Sequence, residues 1–150
     1  MSARALTYYC PYPSLSMQNR IGLITILATD ITEMKRFYSD VLDFECIEDL
    51  GNYVEFKNKG VRFALTTPEI MYEGTEHQSY HEERKGQQFE LAFPLRSPED
   101  VGKTYDLIVT KGAIPIKSPE LMPWGRVTAF FADPEGNIHE LYSLRDGEEI

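Results

Sequence analysis

The second half of this chain repeats the pattern of the first half, and this repeat limits the fold more than any other feature. Each half reads as one strand, one amphipathic helix and three further strands. Placing Tyr38 on Tyr105, an offset of 67 residues, aligns apolar positions through the first strand and the helix. The last strands need an offset of 76 residues, because a longer loop precedes them in the second half. We therefore predict an α+β fold of two tandem βαβββ units.

The chain divides into five segments. Residues 1–19 are an N-terminal extension rich in tyrosine and proline, and residues 20–68 form the first unit. Residues 69–88 are polar, acidic and without period, which predicts a linker loop. Residues 89–144 form the second unit, and residues 145–150 form a C-terminal tail. The two units together have the length of one ordinary domain.

Charge and hydropathy exclude several classes of partner. The chain has 24 acidic and 15 basic residues, a net charge of −9, and no basic run that follows a phosphate backbone. No apolar run reaches membrane-spanning length, and the N-terminus lacks the pattern of a signal peptide. We predict a cytoplasmic protein with no nucleic-acid or membrane partner.

Cysteine and histidine give no clear metal motif. Cys10 and Cys46 lack metal-type spacing and predict free thiols in a reducing compartment. His77 and His81 are four residues apart, a spacing that lets two ligands meet on a helix. No helical stripe surrounds them, so the sequence favours solvated loop histidines over a metal pair.

The stretch from Thr128 to Leu144 reads as two strands joined by a turn of Asp, Pro, Glu, Gly and Asn. In the second strand, alternation places Glu140 on one face, with His139 and Leu141 on the other. A carboxylate in a short apolar strand either faces water or serves a site. His139 is predicted to be structural.

The alignment of the halves assigns three equivalents to Glu140. They are Leu23, Ala64 and Glu90, on the first and last strands of the units. Alternation turns Glu90 away from the face that covers the helix, as it does Glu140. Both carboxylates are therefore expected to point toward the space around which the sheet curves.

Two runs of residues carry a family resemblance over about residues 20–144. The run D-I-x-x-M-x-x-F-Y-x-x-V-L-D-F spans 30–44, and W-G-R-x-x-x-F-x-x-D-P-E-G-N-x-x-E-L spans 124–141. Both resemble the vicinal oxygen chelate superfamily, which includes glyoxalase I, bleomycin-resistance proteins and extradiol dioxygenases. The resemblance implies a curved, U-shaped mixed sheet around a pocket, with the helices on its outer face. It also implies a homodimer, and in the metal enzymes one ligand on the first and one on the last strand of each unit.

This chain departs from the ligand pattern that the resemblance implies. Of the four positions, Glu90 and Glu140 can bind a metal, whereas Leu23 and Ala64 cannot. A catalytic Zn²⁺, Ni²⁺ or Fe²⁺ usually takes three protein ligands, including nitrogen. We expect no cofactor, with a weakly held divalent metal ion at Glu90 and Glu140 as the alternative.

The first functional hypothesis is a metal-free pocket that binds a small organic molecule, as bleomycin-resistance proteins do. Arg62 either pairs with a carboxylate, clamps an anionic ligand or lies in water at the rim. Trp124 and Arg126, in the long loop, either reach the pocket mouth or serve packing. The predicted lining is Leu23, Thr25, Arg62, Ala64, Glu90, Ala92, Phe130, Glu140 and Tyr142.

Two further hypotheses stay open. One is a lyase or isomerase of the glyoxalase type, or a dioxygenase, that uses Glu90 and Glu140. Repulsion between two close carboxylates raises one pKa, which makes Glu140 the candidate catalytic base. The other is a dimeric interaction module with no small ligand, whose pocket is filled by its own side chains or by the segment at Tyr8 and Tyr9.

Overall fold

The computed structural model describes residues 20–150. The N-terminal extension, with Tyr8, Tyr9 and Cys10, lies outside the described residues. Within residues 20–150, no helix has the length and apolar content needed to cross a membrane. The elements in chain order are β1 (Leu23–Leu27), α1 (Ile31–Arg36), β2 (Cys46–Asp49), β3 (Tyr53–Phe56), β4 (Arg62–Thr66), α2 (Pro68–Thr75), β5 (Ala92–Leu95), α3 (Pro98–Lys111), β6 (Ile114–Leu121), β7 (Val127–Ala132) and β8 (Ile138–Ser143).

The strands form two four-stranded sheets, one from each unit. Sheet A has the order β1-β4-β3-β2, and sheet B has the order β5-β8-β7-β6. In each sheet the first strand of the unit pairs in parallel with the last, and the remaining pairs are antiparallel. The predicted α+β class and the two tandem units are confirmed. The mixed sheet consists of two four-stranded sheets, one in each unit.

Local signals start α1 and end it in an unusual way. The Asp30 side chain accepts a hydrogen bond from the Glu33 amide at 3.0 Å and caps the helix. A π-helical turn, Phe37–Val41, continues α1, and the Leu42 amide donates to the Phe37 carbonyl at 3.2 Å. This turn directs the Tyr38 side chain into the centre of the protein, where it is fully buried.

Helix α3 follows its sequence signals at both ends. The Ser97 hydroxyl accepts from the Asp100 amide at 3.1 Å, and a proline occupies the first turn. Gly112 ends the helix at a φ of 121°, a conformation that side chains other than glycine rarely adopt. The stripe packed against sheet B contains Val101, Tyr105 and Ile108.

The loop prediction for residues 69–88 was wrong over two stretches. Helix α2 occupies Pro68–Thr75, and a 3₁₀ helix occupies Gln78–His81. Pro68 stands at the first helical position, but two turns are too short to show a helical period in the sequence. Glu76 ends α2 in a left-handed conformation, with a φ of 56°.

The two loop histidines have separate partners. His77 caps the 3₁₀ helix, because its Nδ1 atom accepts from the Ser79 amide at 3.3 Å. The His81 ring packs on Tyr72, with 4.0 Å between the ring centroids. His77 and His81 therefore contribute to local structure instead of facing one another as a metal pair.

Strand boundaries differ from prediction in sheet B. The second unit was predicted to begin at residue 89, whereas its first strand, β5, begins at Ala92, and β6 extends from Ile114 to Leu121. Both strands lie at sheet edges. An edge strand tolerates proline because one side of its backbone has no ladder partner, which explains prolines within β5 and β6.

One buried polar network joins the two units. The Tyr38 hydroxyl donates to Asp133 Oδ2 at 3.1 Å and lies 3.0 Å from His139 Nε2. Each of these three residues is 0% exposed. Burial raises the pKa of Tyr38, so its hydroxyl stays protonated. Burial also acts to raise the pKa of Asp133, but hydrogen bonds from His139 and Asn137 outweigh it and lower that pKa, which keeps the carboxylate ionised.

We expect Tyr38→Phe to lower the free energy of unfolding by about 1–3 kcal/mol, since the ionised Asp133 loses a buried donor. Urea unfolding followed by circular dichroism measures the change. Tyr105→Phe, which removes a hydroxyl from the same core outside this network, is the control. Equal stability losses in the two variants would contradict the special importance of the Tyr38 hydroxyl.

Candidate functional site

The predicted site residues divide between one face of sheet A and one face of sheet B. Across β1 and β4, Leu23 is in register with Arg62 and Thr25 with Ala64. Directly paired residues project to the same face of a sheet. The first-unit set therefore forms one surface.

The second-unit set forms the corresponding surface of sheet B. Ala92 on β5 and Phe130 on β7 flank Glu140 on β8 in direct register. Tyr142 follows on the same face of β8, and Glu90 precedes Ala92 by two residues. His139 lies on the opposite face, where it is buried in the core, as alternation predicts.

The registers of the two sheets agree with the alignment of the halves. Thr25 pairs with Ala64 in sheet A, and Ala92 pairs with Glu140 in sheet B. These pairs are equivalent under the offsets of 67 and 76 residues. Glu140 thus occupies the position in sheet B that a fully buried alanine occupies in sheet A.

The sheet A surface is occupied by an ion pair. Arg62 donates from Nε to Glu55 Oε1 at 2.7 Å and from Nη2 to Glu55 Oε2 at 2.6 Å, while Tyr53 donates to Oε2 at 2.8 Å. The Glu55 side chain is 8% exposed and that of Arg62 is 60% exposed. Hydrogen bonds from Arg62 and Tyr53 lower the pKa of Glu55 from 4.5 to about 2.

Among the three alternatives for Arg62, the structure shows the pairing with a carboxylate, and that carboxylate is Glu55. The sequence reasoning missed Glu55, although alternation in β3 places it on the same face as Tyr53. Its register partner is Ala64, so the small side chain leaves room beside the carboxylate. The charges of Arg62 and Glu55 on this surface are therefore paired with each other.

The sheet B surface contains a carboxylate, Glu140, whose pKa is raised, whereas that of Glu55 on sheet A is lowered. Glu140 is partly buried and Glu90 is exposed. Burial raises the pKa of Glu140, the negative charge of Glu90 raises it further, and the positive charge of Arg126 opposes both. Glu140 therefore holds a proton to higher pH than an ordinary glutamate, which suits a group that exchanges a proton or hydrogen-bonds a ligand.

Arg126 lies at this surface, as one of its two predicted alternatives required. Its guanidinium carbon is 5.3 Å from the ring centroid of Tyr142. Two hydrogen bonds of 2.7 Å join it to the Glu148 carboxylate, which lowers the pKa of Glu148 to about 2. Trp124 is 53% exposed, which does not fit the alternative in which it serves packing.

Two cavities contain members of the predicted lining. A cavity of about 350 Å³ between the units includes Glu90 and Ala92. A second cavity of about 250 Å³, between β1 and the segment that follows α2, includes Thr25 and Arg84. The predicted lining residues outside both cavities are Leu23, Arg62, Ala64, Phe130, Glu140 and Tyr142.

The ligand set does not fit a catalytic transition metal. In the part of the chain that the structure describes, no three His, Cys, Asp or Glu side chains form a group that could hold a metal ion. Glu90 and Glu140 supply two carboxylates, and the equivalent positions Leu23 and Ala64 supply no donor atoms. A three-ligand site that includes nitrogen cannot be assembled from these four positions.

Comparison with known proteins decides the family. The sequence profile of the glyoxalase/bleomycin resistance protein/dioxygenase superfamily matches residues 20–141. The chain belongs to this superfamily. The superfamily match begins three residues before β1 and ends at Leu141 in β8, so it includes both units.

Relatives and solved structures agree with the superfamily assignment. The uncharacterized protein YraH of Bacillus subtilis (strain 168) is 32% identical over 126 residues, which cover 81% of this chain and 95% of YraH. A glyoxalase/bleomycin resistance protein/dioxygenase family enzyme from Burkholderia phytofirmans PsJN matches with a TM-score of 0.75 and 23% identity, covering 84% of this chain and 99% of that chain. Lactoylglutathione lyase from Agrobacterium tumefaciens matches with a TM-score of 0.65 and 23% identity, covering 89% and 100%. At these identities the two structures support the fold alone.

We expect Glu90→Gln to lower the pKa of Glu140 toward the ordinary glutamate value, because the substitution removes a neighbouring negative charge. Removal of the opposing cation in Arg126→Gln should raise it instead. Carbon-13 NMR titration of the Glu140 carboxyl measures both changes. An unchanged titration in Glu90→Gln would show that the two carboxylates do not interact.

Proposed function

We propose that this protein binds a small organic molecule at the Glu140 surface of sheet B, without a catalytic transition metal. The observation that carries the proposal is the state of Glu140, a partly buried carboxylate with a raised pKa and with Phe130 in direct register beside it. A partly desolvated carboxylate beside aromatic and apolar side chains is typical of the few polar groups that orient a ligand.

The surrounding charges suggest the chemistry of the ligand. The negative charge of Glu90 raises the pKa of Glu140, so the two carboxylates repel each other, and the chain has a net charge of −9. A hydrogen-bond donor or a positive charge on the ligand would relieve the repulsion between them. Phe130 and Tyr142 supply aromatic surface for an apolar body. We therefore propose an organic amine or a similar donor-bearing molecule with an apolar or aromatic part.

Screening by thermal shift with small organic amines, followed by calorimetry, tests this function. We expect Glu140→Gln to weaken the binding of any hit by about tenfold or more, which corresponds to about 1.4 kcal/mol. Glu45→Gln makes the same change of charge at an exposed position on the first unit and is the matched control. Unchanged affinity in Glu140→Gln would remove this residue from the site.

An enzyme of the lyase or isomerase type is the second candidate. The raised pKa of Glu140 favours it, because a carboxylate with this property can take a proton from carbon next to a carbonyl group. In that case Glu140→Gln abolishes activity while the fold survives. Dioxygenase chemistry has weaker support, since the four aligned positions provide only two donors. Metal analysis of protein purified without a chelator or a histidine tag tests the metal-free proposal, because a stoichiometric transition metal would contradict it.

A homodimer completes the proposal. Within the described residues, the sheet A and sheet B surfaces belong to separate sheets, and several large apolar side chains are exposed. We propose that a second copy of the chain covers these apolar side chains and also covers the Glu140 surface of sheet B. The exposed large apolar residues of β6 and of the loop that follows it are Ile114, Ile116, Leu121 and Trp124.

Light scattering after size-exclusion chromatography tests the dimer. We expect a mass of twice the 17.3 kDa of one chain. A mass of 17.3 kDa across the concentrations used for ligand binding would contradict the dimer. A persistent dimer that binds no small molecule would instead favour the third hypothesis, an interaction module, for which the self-satisfied pair of Arg62 and Glu55 is the supporting observation.

A further inference from the structure

The segment that carries Glu90 lies beside the start of β8 but outside the strand ladder. Strand β5 begins at Ala92, and the Leu91 carbonyl makes the last backbone bond to β8, so residues 87–90 have no regular strand pairing. Two side chains take the place of that pairing. One belongs to the segment itself, at Gln87, and the other belongs to the opposing strand, at His139.

Gln87 contacts the backbone at the turn between β7 and β8. Its Nε2 atom donates to the Gly136 carbonyl at 2.9 Å, and its Oε1 atom accepts from the Ile138 amide at 3.0 Å. A side-chain amide has one acceptor oxygen and a donor nitrogen, so it satisfies a backbone edge as a neighbouring strand would. These two bonds attach the segment three residues before Glu90.

His139 attaches the segment immediately after Glu90. Its Nδ1 atom accepts from the Leu91 amide at 3.1 Å, and the Leu91 carbonyl accepts from the Glu140 amide at 2.9 Å. Leu91 is thus held on both sides by consecutive residues of β8. The peptide plane that joins Glu90 to Leu91 is fixed, because its N–H group is one of the bonded atoms.

The tautomer of His139 follows from these contacts. An Nδ1 atom that accepts from Leu91 carries no proton, so a neutral ring holds its proton on Nε2. Nε2 is 3.0 Å from the Tyr38 hydroxyl, which donates onward to Asp133. Contacts at both nitrogens therefore fix the orientation of the His139 ring. The fixed ring in turn holds the Leu91 amide in one position.

We propose that Gln87 and His139 are positioning residues that form a two-point clamp on residues 87–91 and hold Glu90 beside Glu140. The value of this placement for ligand binding rests on the proposed function, but the clamp itself does not. Packing against Phe93 and Phe131 is the competing explanation for His139. Packing alone makes no distinction between the two ring nitrogens.

Paired substitutions at His139 separate positioning from packing. His139→Asn places an amide group near the Nδ1 position, and His139→Gln places one near the Nε2 position. We expect hydrogen exchange of the Leu91 amide to become about fivefold faster or more in His139→Gln, the factor for one lost hydrogen bond of about 1 kcal/mol. His139→Asn should restore slow exchange at Leu91 relative to His139→Gln. The Leu65 amide, in sheet A, corrects for any global loss of stability.

Gln87→Met provides a variant that keeps the fold, because Gln87 is exposed and methionine matches its shape without its hydrogen bonds. We expect faster exchange at the Ile138 amide and a shift of the Glu140 carboxyl carbon resonance at pH 7. Unchanged Ile138 exchange and an unchanged Glu140 resonance, or equal Leu91 exchange in the two His139 variants, would overturn the clamp. Because these signals need no ligand, a clamp that holds in a protein that binds no amine would refute the proposed function alone.

Discussion

The hydroxyl group of Tyr38 makes the buried polar contact that joins the two units. It comes from the first unit, and both of its partners, Asp133 and His139, come from the second. All three are fully buried, and a buried polar group without a partner costs about 1–3 kcal/mol. Any shift of one unit against the other by the length of a hydrogen bond would leave a charge or a hydroxyl unpaired. The network therefore fixes the position in which the apolar surfaces meet.

Asp133 also holds the turn of the hairpin that ends the second unit, through its other carboxylate oxygen. Asp133 Oδ1 accepts from the amides of Glu135 and Asn137, at 3.1 and 3.0 Å. The Glu135 carboxylate in turn accepts from the Thr29 amide of the first unit at 2.7 Å. One turn thus serves as the local link between β7 and β8 and as the docking surface for the first unit. The sequence predicted only a turn here, because a local pattern does not show which residues about 100 positions apart are in contact.

Much of the fold could be predicted from local chemistry. The caps at Asp30 and Ser97, the end of α3 at Gly112 and the equivalence of the two halves all depend on short-range signals, and the structure has them. Helix α2 was missed because two turns give too little periodicity. The face of Glu140 followed from alternation, but the partner of Arg62 did not, since Glu55 lies on a different strand and pairing across strands is a tertiary fact.

The two units have used one architecture for unequal purposes. Sheet A closes its surface with an ion pair and a buried alanine, whereas sheet B leaves Glu140 with a raised pKa at the equivalent place. The two sheets share the same strand pairing, but their equivalent surfaces have different side chains. Duplicated halves permit this, because the core residues that support the fold face away from the residues that distinguish the surfaces.

The contact between Arg126 and Glu148 connects residues 145–150 to the aromatic surface of sheet B. Glu148 lies five residues after the end of β8, and its carboxylate holds the guanidinium that packs on the Tyr142 ring. A change in residues 145–150 would therefore reach the aromatic surface of sheet B through Arg126, although none of these residues belongs to a strand of that sheet.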